Sequence, residues 1–448
     1  MAQRPPHVRL LASLSGHWHT YRNIRDGGVL HANTGNATFG SVDYAPPQYR
    51  LCNWDGEEFS LRTVNRRPPT LRTAVKVHDQ APRQAWSVTL PGASPLATPV
   101  YAQTPDGSGG LVLAAWGNED DPRGGLIALD AASGAEVWRS DAGSTVRAGA
   151  AYAPGAGGHG MMVFASVAGE VVALEAHSGR ELWRRQVGDP LHTWVYMEPV
   201  IYEGLVFVGD VVAFRALDLI TGASVWERRD LGRFENYISM AHPIVQAETL
   251  LLGFIKQYPN TWGLDPRTGE TRWSGGEHPL LAPMAPFLAD GDGEHAYAVR
   301  FGSPVEKLNA ATGERVWKAR LDAIFDTGRL ALTSDGAGLL VTSGVGTVHR
   351  LDAGTGEVVW RTRLEDEALR AMGPYRSSGP VAAAGPLLTP RGVLQATCGG
   401  MVYRLDPETG EADVVARLPA PVAAPLVSVG EDIVAADAGG VVRRFRVG

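Results

Sequence analysis

Several stretches carry residue types whose spacing invites a chemical reading. "GAGGHG", Gly155 to Gly160, has the glycine density of a loop that cradles phosphate. Such a loop needs a strand before it and a helix N-terminus after it, whose amides face the anion. Here the strand-like run "MMVFASV" follows, so the stretch reads as a hairpin turn. "DGDGE", Asp290 to Glu294, offers oxygens of the kind calcium takes, but no bidentate acid follows at the required spacing. It too reads as a hairpin. The twelve histidines form no pair four apart on a helix and have no cysteine companions; His177 falls in a turn and His349 in a strand. The two cysteines, Cys52 and Cys398, are far apart and read as reduced thiols. No Gly-x-Ser-x-Gly nucleophile motif is present. These observations predict no catalytic residue, no metal site and no cofactor.

The elements that would position any site must come from a turn-rich chain. Its 448 residues include 54 glycines and 30 prolines, which favours many short strands over long helices. A hydrophobic content of 44% supplies ample core. The net charge of −7 argues against a sequence-independent nucleic-acid binder. No window approaches the eighteen apolar residues of a membrane-spanning helix. The first residues, with "LLASL" as their longest apolar run, lack the pattern of a secretion signal, and the expected location is cytoplasmic.

The chain's dominant feature is a decapeptide. "LDAASGAEVW" begins at Leu129 and "LEAHSGRELW" at Leu174, followed by "LDLITGASVW" at Leu217 and "LDPRTGETRW" at Leu264. "LNAATGERVW" begins at Leu308, "LDAGTGEVVW" at Leu351 and "LDPETGEADV" at Leu405. The glycines are Gly134, Gly179, Gly222, Gly269, Gly313, Gly356 and Gly410; the tryptophans are Trp138, Trp183, Trp226, Trp273, Trp317 and Trp360. A period in the forties without helical periodicity indicates a β-propeller with one four-stranded antiparallel sheet per repeat. Asp or Asn, Glu in the second copy, shapes the turn, Gly supplies its positive φ, and Trp, where present, wedges adjoining sheets. Val414 stands where the seventh Trp is due, which predicts a seam that buries less surface.

After the seventh motif three strand-like runs remain, one short of a sheet. "PRQAWSVTL", with Trp86, matches the missing strand. An unclosed ring would expose unpaired edges. The expected fold is therefore all-β: an eight-bladed propeller over residues 80–448, closed by pairing an N-terminal strand with the last blade. Residues 1–79 form an extension expected to pack along it.

The pattern Leu-Asp-x-x-Thr-Gly-x-x-x-Trp resembles the repeat of pyrroloquinoline-quinone-type (PQQ-like) propellers. These include quinoprotein alcohol dehydrogenases and the propeller lipoprotein of the bacterial outer-membrane assembly machinery. As a family, the dehydrogenases hold their quinone between an adjacent Cys–Cys disulfide and a Trp, beside a calcium ion and an Asp base. This sequence has no Cys–Cys pair, so a quinone-dependent oxidoreductase is the least favoured reading.

Candidate binding residues lie in what differs between repeats. The segments leading into each blade carry Arg147, His192, Trp194, Tyr196, Asn236, Tyr237, His242, Arg329, Tyr375 and Arg376, expected around one side of the channel mouth. Aromatic residues with Arg and His suit recognition. Arg62, Arg66, Arg67, Arg72 and Lys76 make the end of the extension basic, suited to an acidic partner surface. The expected function is a non-catalytic scaffold binding protein partners within a larger bacterial-type assembly. A small-molecule or glycan sensor using the channel mouth is the alternative.

Overall fold

The computed structural model describes residues 9–447, except 17–20, 36, 38–47, 66–81, 105, 119, 211, 232–241, 255–257, 277–285, 301–303, 322–328, 344 and 366–382. Apart from one short 3-10 turn, Ala156–Gly158, every regular element among them is a strand. Eight four-stranded antiparallel sheets follow one another along the chain, as expected of a β-propeller. Their first strands are Val100–Gln103, Ala151–Ala153, Val200–Tyr202, Ile244–Gln246, Leu288–Ala289, Leu330–Leu332, Leu387–Thr389 and Val427–Val429. The first strand of the eighth sheet lies beside those of the seventh and the first. The eighth sheet takes its outer strand, Arg83–Thr89, from before the repeats, paired antiparallel with Val441–Arg446.

The decapeptide works as a fastener at each seam. In the third sheet Asp218 Oδ1 accepts bonds from the amide and hydroxyl of Thr221, and Gly222 completes the turn at φ 69°. The Thr221 hydroxyl and amide together hold the Asp218 carboxyl below its ordinary range. Trp183 of the second sheet lies across that turn: its Nε1 donates to Leu219 O at 2.8 Å. A Cβ added at Gly222 would stand 2.6 Å from the Trp183 ring. The same contact joins Trp86 to Gly134, Trp138 to Gly179, Trp226 to Gly269, Trp273 to Gly313, Trp317 to Gly356 and Trp360 to Gly410. Glycine is required there twice over, for the left-handed backbone and for the space.

This geometry explains Val414. The Trp of one sheet covers the turn between the last two strands of the next. The eighth sheet has no such turn, because Val441–Arg446 and its partner Arg83–Thr89 lie at opposite ends of the repeat region. A seventh Trp would have no glycine to cover. Val414 instead half-buries itself in a cluster with Tyr403, Leu405 and Trp360.

The extension forms its own small layer. Ala12–Ser15 runs parallel to Val29–Asn33, which pairs antiparallel with Arg22–Asp26 through a Gly27–Gly28 turn. Gln48–Trp54 and Phe59–Asn65 make a separate hairpin. Leu30, Ala32 and Leu61 form the core between these pieces.

Candidate functional site

The segment that leads into each sheet descends to the first strand. Strand register defines equivalent residues there. Val200 pairs with Phe207, which pairs with Ala216, the residue before the motif leucine of the third sheet. The same row holds Ala151 in the second sheet, Ile244 in the fourth and Ala331 in the sixth. Two residues ahead of these stand Gly149, Glu198, His242 and Arg329. The other four sheets place Thr98, Pro286, Gly385 and Pro425 at this level. The result is a tier of equivalent positions, mostly small or apolar, in which three ionisable side chains stand out.

Two of them, Glu198 and His242, are hydrogen-bonded. The amide of Glu198 donates to His242 Nδ1 at 2.9 Å, which leaves the imidazole proton on Nε2 in the neutral ring. Burial lowers the His242 pKa to about 3, helped by the charge of Arg329 and opposed by the Glu198 amide bond. Burial also pushes the Glu198 carboxyl up to about 7, against the pull of Arg329. Each long chain lies over a neighbouring glycine. A Cβ at Gly149 would stand 2.8 Å from Glu198 Oε2, and one at Gly385 would stand 3.2 Å from Arg329 Cβ and Cδ. Sequence reading missed Glu198. The signal was its position just before the proline that precedes the first strand in "MEP", matched by His242 in "AHP".

The other candidate residues have different places. Trp194 and Tyr196 stack on each other, with centroids 6.3 Å apart, and the extension sits on both. The Arg22 guanidinium lies 4.3 Å over the Trp194 ring and donates to Thr193 O at 2.6 Å and to Pro190 O. Burial lowers the Arg22 pKa to about 10. Tyr196 donates its hydroxyl to Tyr21 O, and Ser144 donates to Asn23 O. The aromatic pair is thus covered by the chain itself. Arg147 is buried on the second sheet's lead-in, whereas His192 is exposed and paired with Asp189 at 2.9 Å. Asn236, Tyr237, Tyr375 and Arg376 lie outside the described residues, as do Arg66, Arg67, Arg72 and Lys76.

The sheets and their seams find their counterparts in known proteins. A family model described as outer membrane protein assembly factor BamB matches residues 122–277 and 302–389, more than half of the chain. The chain belongs to this PQQ-like propeller family. BamB from Moraxella catarrhalis, at 19% identity and a TM-score of 0.60, aligns over its full length with 82% of this chain. The quinohemoprotein alcohol dehydrogenase from Comamonas testosteroni aligns at 14% identity and a TM-score of 0.62, over 82% of this chain and 76% of its own. A computationally designed protein, Ika8, aligns at 15% identity and a TM-score of 0.60, over 82% of this chain and all of its own. At these identities the likeness is one of PQQ-like propeller fold. No curated protein matches in sequence.

The quinone and calcium of the dehydrogenase branch do not fit the residues described. Cys398 is buried in the propeller and Cys52 is exposed on the extension's hairpin, so the two cannot form an adjacent pair. Calcium takes six to eight oxygens. The tier of equivalent positions offers one carboxylate, that of Glu198, which feels the positive charge of Arg329. Elsewhere, Asp290, Asp292 and His295 converge closely enough to suggest a metal site. Lys307 Nζ lies 2.6 Å from Asp290 Oδ2, and Tyr297 donates its hydroxyl to the same oxygen. The Lys307 ammonium already occupies the Asp290 side of that cluster and offsets one of its two carboxylates.

Proposed function

We propose that this chain is a non-catalytic scaffold: a closed ring of eight blades that holds protein partners within a larger bacterial-type assembly. Eight four-stranded sheets, the strand borrowed by the last of them, and the contact between its first strand and that of the first sheet support the closed ring. The observation that carries the functional reading is membership of a family described by an assembly factor. The repeated side chains agree with it. Asp, Gly and Trp are consumed in turns and seams, and the hydroxyls bonded to carboxylates, such as Ser133 to Asp130 and Thr221 to Asp218, belong to those same turns. Function then rests on surfaces that vary between blades.

Affinity purification of the full chain from its native host, followed by mass spectrometry and light scattering, tests the proposal. A companion protein in fixed stoichiometry, retained after a high-salt wash and chemical crosslinking, is the expected result. Recovery of a bare monomer after crosslinking in intact cells would overturn it.

A further inference from the structure

We propose that the segment leading into the third sheet carries a socket that reads arginine in an extended peptide, and that Arg22 fills it in cis until a partner protein's segment replaces it. This deepens the scaffold reading and rests on it for the partner. A chain with a companion protein but no peptide uptake sinks the socket alone; uptake by a chain recovered bare sinks the scaffold.

The socket is built by the propeller itself. The amides of His192 and Thr193 donate to Asp189 O at 2.9 and 2.8 Å, and Thr193 Oγ1 donates to Val187 O at 3.2 Å. The Val195 amide donates to Val167 O at 3.2 Å, which ties the segment to the second sheet. So held, the carbonyls of Pro190 and Thr193 converge on a single nitrogen, Nη2 of Arg22. The Trp194 ring lies against the same guanidinium, 4.3 Å from its central carbon. Two acceptors beside an indole face suit a planar, charged group that both donates and stacks. The stretch "DPLHTW" occurs once in the sequence, so each chain has one such socket.

The contacts on either side fall on backbone. Tyr196 donates its hydroxyl to Tyr21 O at 2.9 Å, and Ser144 Oγ donates to Asn23 O at 3.3 Å. Any extended segment offers carbonyls before and after its arginine. The two hydroxyls therefore fix the peptide's register while the socket selects the residue, a division of labour found in peptide-recognition surfaces.

Arg22 is an exchangeable occupant. It is buried, yet among the described residues its Nε has no acceptor and no carboxylate is bonded to its guanidinium. Burying a charge with incomplete pairing offsets part of what the contact gains, and an apolar side chain would serve as well for fastening alone. The layer behind it has a small core of Leu30, Ala32 and Leu61. A layer with so few buried apolar contacts detaches at modest cost.

Fluorescence anisotropy of a labelled peptide of residues 21–33 with the full chain reads the exchange. Arg22→Glu in the chain sets a carboxylate against the two carbonyls and should bare the socket. That chain is expected to bind the peptide about tenfold or more tightly than the parent, whose own Arg22 competes. The peptide carrying Arg22→Ala, which keeps Arg25, should bind about tenfold more weakly. Adding Trp194→Leu to the Arg22→Glu chain should weaken binding about threefold to thirtyfold. The proposal is overturned if a folded Arg22→Glu chain takes up no peptide, or if the parent binds it equally well. It is also overturned if the Arg22→Ala peptide binds as tightly, or if Trp194→Leu changes nothing. A parent that is a dimer by light scattering and is dissociated by Arg22→Glu overturns it too, because a second copy then fills the socket. If Arg22→Glu does not fold, hydrogen exchange on the parent decides. Excess heavy-isotope peptide should speed exchange of the Arg22–Asp26 amides, and unchanged exchange overturns the proposal.

Discussion

Replacing Gly222 by Ala isolates the energetics of one seam. Two costs are expected. The residue holds φ at 69°, and an L side chain in that region costs about 1–2 kcal/mol. The new methyl would also stand 2.6 Å from the Trp183 ring, against a turn held by the Nε1 bond to Leu219 O. Overpacking of that kind adds about 1–3 kcal/mol. Gly204, in the same sheet, separates the two costs: its φ is 81°, yet a Cβ there meets nothing within 4 Å. Gly204→Ala should therefore show the backbone cost alone, reduced by about 0.4–1 kcal/mol through the stiffer unfolded chain. For a propeller of this size each kcal/mol moves the thermal midpoint by roughly 1–1.5 °C. Calorimetry should then place Gly222→Ala about 1–4 °C below Gly204→Ala. Adding Trp183→Leu to Gly222→Ala should recover most of the difference in a double-mutant cycle. Equal midpoints for the two alanine variants, or no coupling to Trp183, would refute the account of the seam.

Trp138 and Trp183 occupy equivalent seams, but only Trp183 has a partner for its ring N–H among the described residues. Trp183→Phe should cost about 0.5–1.5 kcal/mol more than Trp138→Phe in matched calorimetric scans, and equal losses would count against the hydrogen bond. Arg22→Ala removes the ring contact and the bonds to Thr193 and Pro190, with an expected loss of about 2–4 kcal/mol in docking of the extension. Amides of Arg22–Asp26 and Val29–Asn33 should exchange faster while the seam strands keep their protection; unchanged exchange would show that other contacts hold the extension.

Seven of the eight sheets were legible because each is built from neighbours in the chain. Asp218, Thr221, Gly222 and Trp226 lie within one decapeptide, and the turn they form is local. Even the long-range pairing of Arg83–Thr89 left a trace, an incomplete last sheet and an orphan "AWSVTL". The surface was harder to read. Trp194 and Tyr196 look like an open recognition patch, and nothing near them announces that Arg22 covers them from far away in sequence. Burial of this kind depends on how the extension folds back, which no period or motif encodes. Glu198 was hidden for the opposite reason. A single acid before a proline looks like loop until strand register sets it level with His242 and Arg329.

The borrowed strand also sets an order in time. Arg83–Thr89 leaves the ribosome before any repeat, yet its partner Val441–Arg446 is made after all seven decapeptides. Throughout synthesis it waits as an unpaired, aggregation-prone edge. The second and third sheets, finished early, hold Tyr21, Arg22 and Asn23. Docking of the extension on those early sheets keeps the waiting strand near them. The final pairing then closes a shorter effective loop than the sequence separation implies.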